Sequence, residues 1–177
     1  MTKQELIERF GQNHLSLIHY IDSLTPGEFT YSQHEKWTAG QQLSHIYLCL
    51  HPIAKALASK DFITQTFGQT DHPPMAYDTV IDHYRSALDR GGKAPDRFVP
   101  GQLDPSDKAG LTADLSAILQ TIQQQLEGYT DEELDTLVLP HPLLGKLTIR
   151  EMFYLMTYHA THHHRQAEQN LAGFASH

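Results

Sequence analysis

The 177-residue sequence predicts an all-α protein, an up-and-down four-helix bundle formed as a single domain over residues 1–177. Three observations carry this. Apolar residues recur at helical spacing in several long segments. Two segments open with a threonine three residues ahead of a glutamine or glutamate, the capping-box signature. No convincing strand pair, repeat or low-complexity tract interrupts them.

The first helix spans about 3–23, with Leu6, Phe10, Leu17, Ile18 and Ile21 on one side, and Thr25-Pro26-Gly27 breaks it. Thr38 caps the second helix, with Gln41 completing the box. This helix continues through Leu43, Ile46, Tyr47, Leu50, Ala54 and Leu57, with a bend expected near Pro52. Residues 61–75, with Gly68 and Pro73-Pro74, read as loop. A third helix covers about 76–90 and ends at Gly91-Gly92. The Pro/Gly-rich stretch that follows is long for a compact domain and is expected to fold over one end of the bundle. A fourth helix runs from Thr112 to about Tyr129, a short piece covers 130–137, and 139–146 reads as loop. Thr148 and Glu151 open the last helix, which reaches about Ala172.

Composition excludes several functions. The chain carries 13 basic and 21 acidic residues, a net charge of −8, with no Lys/Arg run, so it offers no surface for a phosphate backbone. Cys49 is the single cysteine, which excludes an internal disulfide and fits a reducing compartment. The N-terminus enters a charged amphipathic pattern without a signal-peptide core, and no apolar run reaches membrane-spanning length. A cytoplasmic protein without nucleic-acid or membrane contact is the expectation.

Histidine is over-represented, with 13 residues, and four of them fall in Tyr158-His159-Ala160-Thr161-His162-His163-His164-Arg165-Gln166. On a helical wheel Ile149, Met152, Phe153, Met156, Ala160, Ala167, Leu171 and Phe174 form the apolar stripe of the last helix. His163 falls inside this stripe and His159 on its edge, whereas His162 and His164 lie to either side. Residues four apart share a helix face, so His159 and His163 can direct two imidazoles at one divalent ion. The same spacing suits two core-edge histidines bonded to backbone or tyrosine, and periodicity leaves both readings open. It also leaves the third ligand open. His45 lies off the main stripe of its helix, His51 faces solvent, His14 and His19 are further candidates, and Cys49 reads as a small buried thiol.

The chain resembles the DinB-like (YfiT-like) four-helix-bundle superfamily over about residues 30–170. The resemblance rests on Lys36-Trp37-Thr38-Ala39-Gly40-Gln41-Gln42-Leu43-Ser44-His45-Ile46, on His141-Pro142-Leu143-Leu144-Gly145-Lys146-Leu147-Thr148-Ile149-Arg150-Glu151, and on Tyr158-His159-x3-His163-x2-Gln166. It implies a divalent-metal site, zinc or nickel in the first place, held by His45, His159 and His163, and a homodimer. It also implies a metal-dependent enzyme, a transferase of low-molecular-weight thiols or a small-molecule hydrolase, with a non-catalytic metal- or ligand-binding bundle as the alternative. Glu151 and Glu168 read as lying off the core face of the last helix, so no general base is evident. Thiol transfer tolerates that gap better than hydrolysis, because a bound cation can itself generate the thiolate. The loop histidine, His141, carries no assigned role, and Tyr47, Tyr154 and Tyr158 read as core aromatics with pocket-lining as the alternative.

Overall fold

In the computed structural model, which describes residues 1–174, four long helices enclose the core: α1 (Lys3–Ser23), α3 (Ala39–Leu57), α6 (Asp107–Glu127) and α8 (Ile149–Leu171). Short helices α2 (Pro26–Thr30), α4 (Lys60–Thr66) and α7 (Asp131–Thr136), together with α5 (Tyr77–Asp89), complete the helical set among the described residues. The all-α bundle expected from periodicity is what forms. Each of α1 and α3 packs mainly on α6 and α8, so the ring runs α1–α6–α3–α8, and α1 and α3 stand diagonally opposite. Helix α5 lies against the outer side of α8. No described helix is long and apolar enough to cross a membrane.

Both expected capping boxes form. Thr38 Oγ1 accepts from Gln41 N at 3.1 Å while Gln41 Oε1 accepts from Thr38 N at 3.0 Å, and Thr148 and Glu151 repeat the exchange. Each box satisfies two of the amide donors that a helix start leaves unpaired. Helix α3 runs on through Pro52.

Four expectations need correction. Residues 138–148 form a hairpin, β1 (Val138–His141) against β2 (Gly145–Thr148), paired Val138↔Thr148 through His141↔Gly145. Four residues per strand are too few for a period-2 signal, and Pro140 and Pro142 disguise it. Gly145 closes the turn at φ +74°, a backbone region open to glycine. Helix α4 lies within the stretch read as loop. Ser59 caps it and it buries Ile63, but seven residues are too short for periodicity. Helix α6 starts five residues earlier than expected, at Asp107. Finally, Glu151 is buried rather than off the core, because its second oxygen accepts from Met75 N at 2.7 Å and ties the segment before α5 to the start of α8.

Close approach constrains Gly40. A Cβ at Gly40 would lie 2.5–2.9 Å from the ring of Phe29, which is fully buried and has no free direction to yield. Overpacking of this kind costs about 1–3 kcal/mol and outweighs the roughly 1 kcal/mol that alanine gains over glycine in a helix. Gly40→Ala is therefore expected to lower the urea midpoint, and an unchanged or raised midpoint would show that Phe29 yields.

The irregular segment after α5 does fold over the bundle, as its length suggested. Its short 3-10 turn, Asp96–Phe98, packs on α3 and delivers a backbone carbonyl to the histidine cluster described next.

Candidate metal centre

Helices α3 and α8 face each other, and three imidazoles meet between them. His45 Nε2 lies 3.3 Å from His159 Nε2, and His163 Nε2 lies 2.9 Å from the same atom. His159 and His163 stand one turn apart on α8, and His45 enters from α3; each is about 5 % exposed. The stripe on α8 thus located two of the three. His45 is buried because α3 packs on both α6 and α8, so a single-stripe reading of that helix missed its second buried face.

Tautomers follow from the outer contacts. A carbonyl only accepts, so His45 Nδ1–H donates to Phe98 O at 2.7 Å, leaving Nε2 with its lone pair. His163 Nδ1–H donates to Gln42 Oε1 at 2.5 Å, with the same result. These are the outer hydrogen bonds that orient metal-ligating imidazoles. Gln42, three residues before His45 on the same helix, was recognisable in principle by its spacing, whereas the Phe98 carbonyl has no side-chain signature. Trp37 packs over the pair, its ring nearly parallel to that of His163 at 6.3 Å and 5.0 Å from His45.

Two lone pairs therefore point at His159 Nε2, and one N–H on that atom can satisfy only one of them. If His159 instead carries its proton on Nδ1, its Nε2 lone pair meets those of both neighbours, and that Nδ1 is buried without a partner among the described residues. Neither arrangement of protons satisfies the cluster with the protein's own groups. A divalent cation would resolve it, since imidazole nitrogens about 2.0–2.1 Å from a common ion stand roughly 3.0–3.4 Å apart, close to the two separations observed.

Burial sets the electrostatics. It holds His159 and His163 well below the ordinary histidine pKa, with the neighbouring imidazoles adding to the effect. Burial also lowers His45, against the opposing pull of the Phe98 carbonyl. All three are thus held in the neutral form, the one in which an imidazole can donate a lone pair to a cation. Cys49 lies one turn beyond His45, with Sγ 3.6 Å from its Nε2, and His45, Cys49 and His159 offer donor atoms mutually within 4.8 Å. Burial pushes the Cys49 thiol up to about 12, so without a cation it stays protonated.

The other candidates go elsewhere. His14 is wholly buried on α1, its ring tilted against that of Phe10 and bonded to the Phe10 carbonyl. His19 is exposed, and His51 is half-buried beside Tyr47 rather than facing solvent outright. Gln166 contacts His162, not the cluster, and Glu168 approaches His164 at the surface. Tyr154 packs against Tyr77 in the core.

Space lies on two sides of the cluster. A mostly apolar cavity of about 240 Å³ reaches His45, Cys49 and His159, and His141 of the hairpin forms part of its wall. A more polar groove of about 550 Å³ reaches His45 and His163 past Trp37, Gln42, His162 and Gln166. Tyr84 and Lys93 border both. No aspartate or glutamate among the described residues lines either space, in keeping with the missing general base.

A family model of the DinB superfamily matches residues 9–167 of the chain. Among solved structures, YfiT from Bacillus subtilis, described as a probable metal-dependent hydrolase with an unusual four-helix bundle topology, shares the fold. It aligns at a TM-score of 0.63 and 16 % identity, covering 98 % of this chain and 87 % of that one. No curated protein sequence matches significantly.

Proposed function

We propose, for a chain that belongs to the DinB superfamily, a divalent-metal-dependent enzyme whose ion is held by Nε2 of His45, His159 and His163 and whose open coordination side faces the apolar cavity. The observation that carries this reading is the close approach of neutral imidazoles whose proton inventory the protein's own groups leave unsatisfied. Zinc and nickel suit a donor set of imidazole nitrogens. The description of YfiT, which shares the fold, points the same way.

A cation bound by three uncharged ligands keeps its full charge and lowers the pKa of a water or thiol beside it. The chain's own residues set the stage for that chemistry. Phe98 O and Gln42 Oε1 hold two imidazoles in the ligating tautomer. The segment carrying Phe98 and the hairpin carrying His141 wall the cavity, and Met152 and Met156 supply part of its apolar lining. With no carboxylate at hand to remove a proton, a low-molecular-weight thiol is the favoured nucleophile, entering by the polar groove, with an electrophile in the cavity. Hydrolysis is the alternative reaction of the same centre.

The test compares metal-loaded with metal-stripped protein, and with His163→Ala, on glutathione plus 1-chloro-2,4-dinitrobenzene and on 4-nitrophenyl butyrate. Turnover of either pair by the loaded parent alone is the expected result. Equal rates with and without metal would overturn the proposal.

One observation favours a second reading. Cys49 Sγ is near enough to His45 and His159 to fill the fourth position, which would give a closed centre of one thiolate and three imidazoles, the structural type. Cys49→Ser separates the two. The open centre retains its ion with affinity changed less than about 3-fold, whereas the closed centre loses a direct ligand and far more than the 10–100-fold typical of an outer-shell change.

A further inference from the structure

His141 stands at the end of β1, half-buried, and forms part of the wall of the same apolar cavity that reaches His45 and His159. Its role was invisible in the sequence, where it sat in an apparent Pro-His-Pro loop. The hairpin turn fixes its tautomer. The amides of Leu143 and Leu144 both donate to His141 Nδ1, each at 3.3 Å, so Nδ1 is an acceptor and the proton of the neutral ring lies on Nε2. This is the arrangement of an Asx turn, with an imidazole nitrogen in place of the usual side-chain oxygen. Nε2 has no hydrogen-bond partner among the described residues.

That leaves His141 a single chemical capability. It cannot act as a base, because its free lone pair is taken by two backbone amides and its other nitrogen is protonated. It cannot usefully give up its proton either, since an imidazolate would remain. What it offers is one fixed N–H donor in a wall otherwise made largely of Ile53, Phe67, Leu139, Leu143, Met152 and Met156. A ligand that displaces water from such surroundings must bring an acceptor for this donor or leave it unpaired. A cation-binding role is excluded by the same proton.

We propose that His141 is a substrate-binding residue whose Nε2–H holds the acceptor oxygen of a mainly apolar substrate, such as the carbonyl of an ester or ketone, inside the cavity. The proposal rests on the reading of this cavity as the substrate side of the metal centre, and it sets the substrate class. The lining is mainly apolar, with Tyr84, Lys93 and Arg97 as its further polar groups, and such a cavity takes a mainly apolar molecule oriented by a few polar contacts.

Two measurements on the metal-stripped full chain test it, so that a failure of the metal centre is seen separately, in metal content. Long-range nitrogen–proton correlation spectra of the parent protein should show His141 as the neutral Nε2–H tautomer, and the Nδ1–H form would overturn the proposal. Carbonyl-labelled acetophenone serves as the binding probe. Its C=O stretch should move to lower frequency in the parent than in His141→Asn, which keeps an oxygen acceptor for the Leu143 and Leu144 amides but withdraws the donor from the cavity. Affinity should fall about 3- to 10-fold in that variant, the effect of one neutral hydrogen bond. An identical stretch in both proteins, or no saturable binding by the parent, would overturn the proposal.

Discussion

Replacing His159 with alanine is expected to abolish stoichiometric binding of zinc or nickel. His159 is the imidazole both others approach, with His45 at 3.3 Å and His163 at 2.9 Å, so its loss leaves two ligands and no shared centre. The fall in affinity should exceed the 10–100-fold that follows loss of an outer-shell partner. Thermal unfolding gives a convenient readout. An ion present at about 100 times its dissociation constant stabilises a protein by roughly 2.7 kcal/mol, and that ion-dependent shift in Tm should vanish in the variant. The comparison is made against the variant's own metal-free Tm, because truncation also leaves a cavity in a buried position. An undiminished ion-dependent shift in His159→Ala would place the ion elsewhere.

Metal-free protein is expected to lose stability steeply as the pH falls from about 6.5 toward 4. His14 makes the sign plain. Burial lowers its pKa to about 4, and its Nε2 has no partner among the described residues to stabilise a charge. Between that value and the ordinary 6.5 the unfolded chain binds a proton that the native chain refuses, so acid favours unfolding. One such group costs about 1.4 kcal/mol per pH unit, or roughly 3 kcal/mol across the window for His14 alone. Burial shifts His45, His141, His159 and His163 in the same direction. Each adds to the same acid destabilisation, against a total of roughly 5–15 kcal/mol by which domains are ordinarily stable. Urea titrations at pH 7.0 and 5.5 measure the slope. His14→Leu should reduce it by about one proton, and an identical slope in parent and variant would remove His14 from the account.

Much of the fold was readable because its signals are local and repetitive. The four long helices declare themselves by period, and Thr38 and Thr148 mark two starts to the residue. What was unreadable is short or depends on distant partners. The hairpin and α4 lack the length to display a period. Glu151 looks like an exposed first-turn acid until the segment at Met75 folds over it.

The candidate site divides along the same line. His159 and His163 follow from one helix's stripe, since a helix brings residues four apart together without help. His45 lay outside any stripe because α3 is buried on two faces, and only the family resemblance placed it with the other two. Gln42, Phe98 and His141 act through contacts 53 to 121 residues away in sequence, or through a turn whose hairpin was hidden by proline. Three histidines, His14, His19 and His51, shared the residue type but not the place.

X-ray absorption at the zinc edge of the zinc-loaded chain tests the central claim most directly. Three imidazole nitrogens at about 2.0–2.1 Å, with the remaining scatterers light atoms and no sulfur shell, are the predicted result. A sulfur at about 2.3 Å would identify Cys49 as a ligand and the centre as closed, contradicting an open catalytic site on His45, His159 and His163.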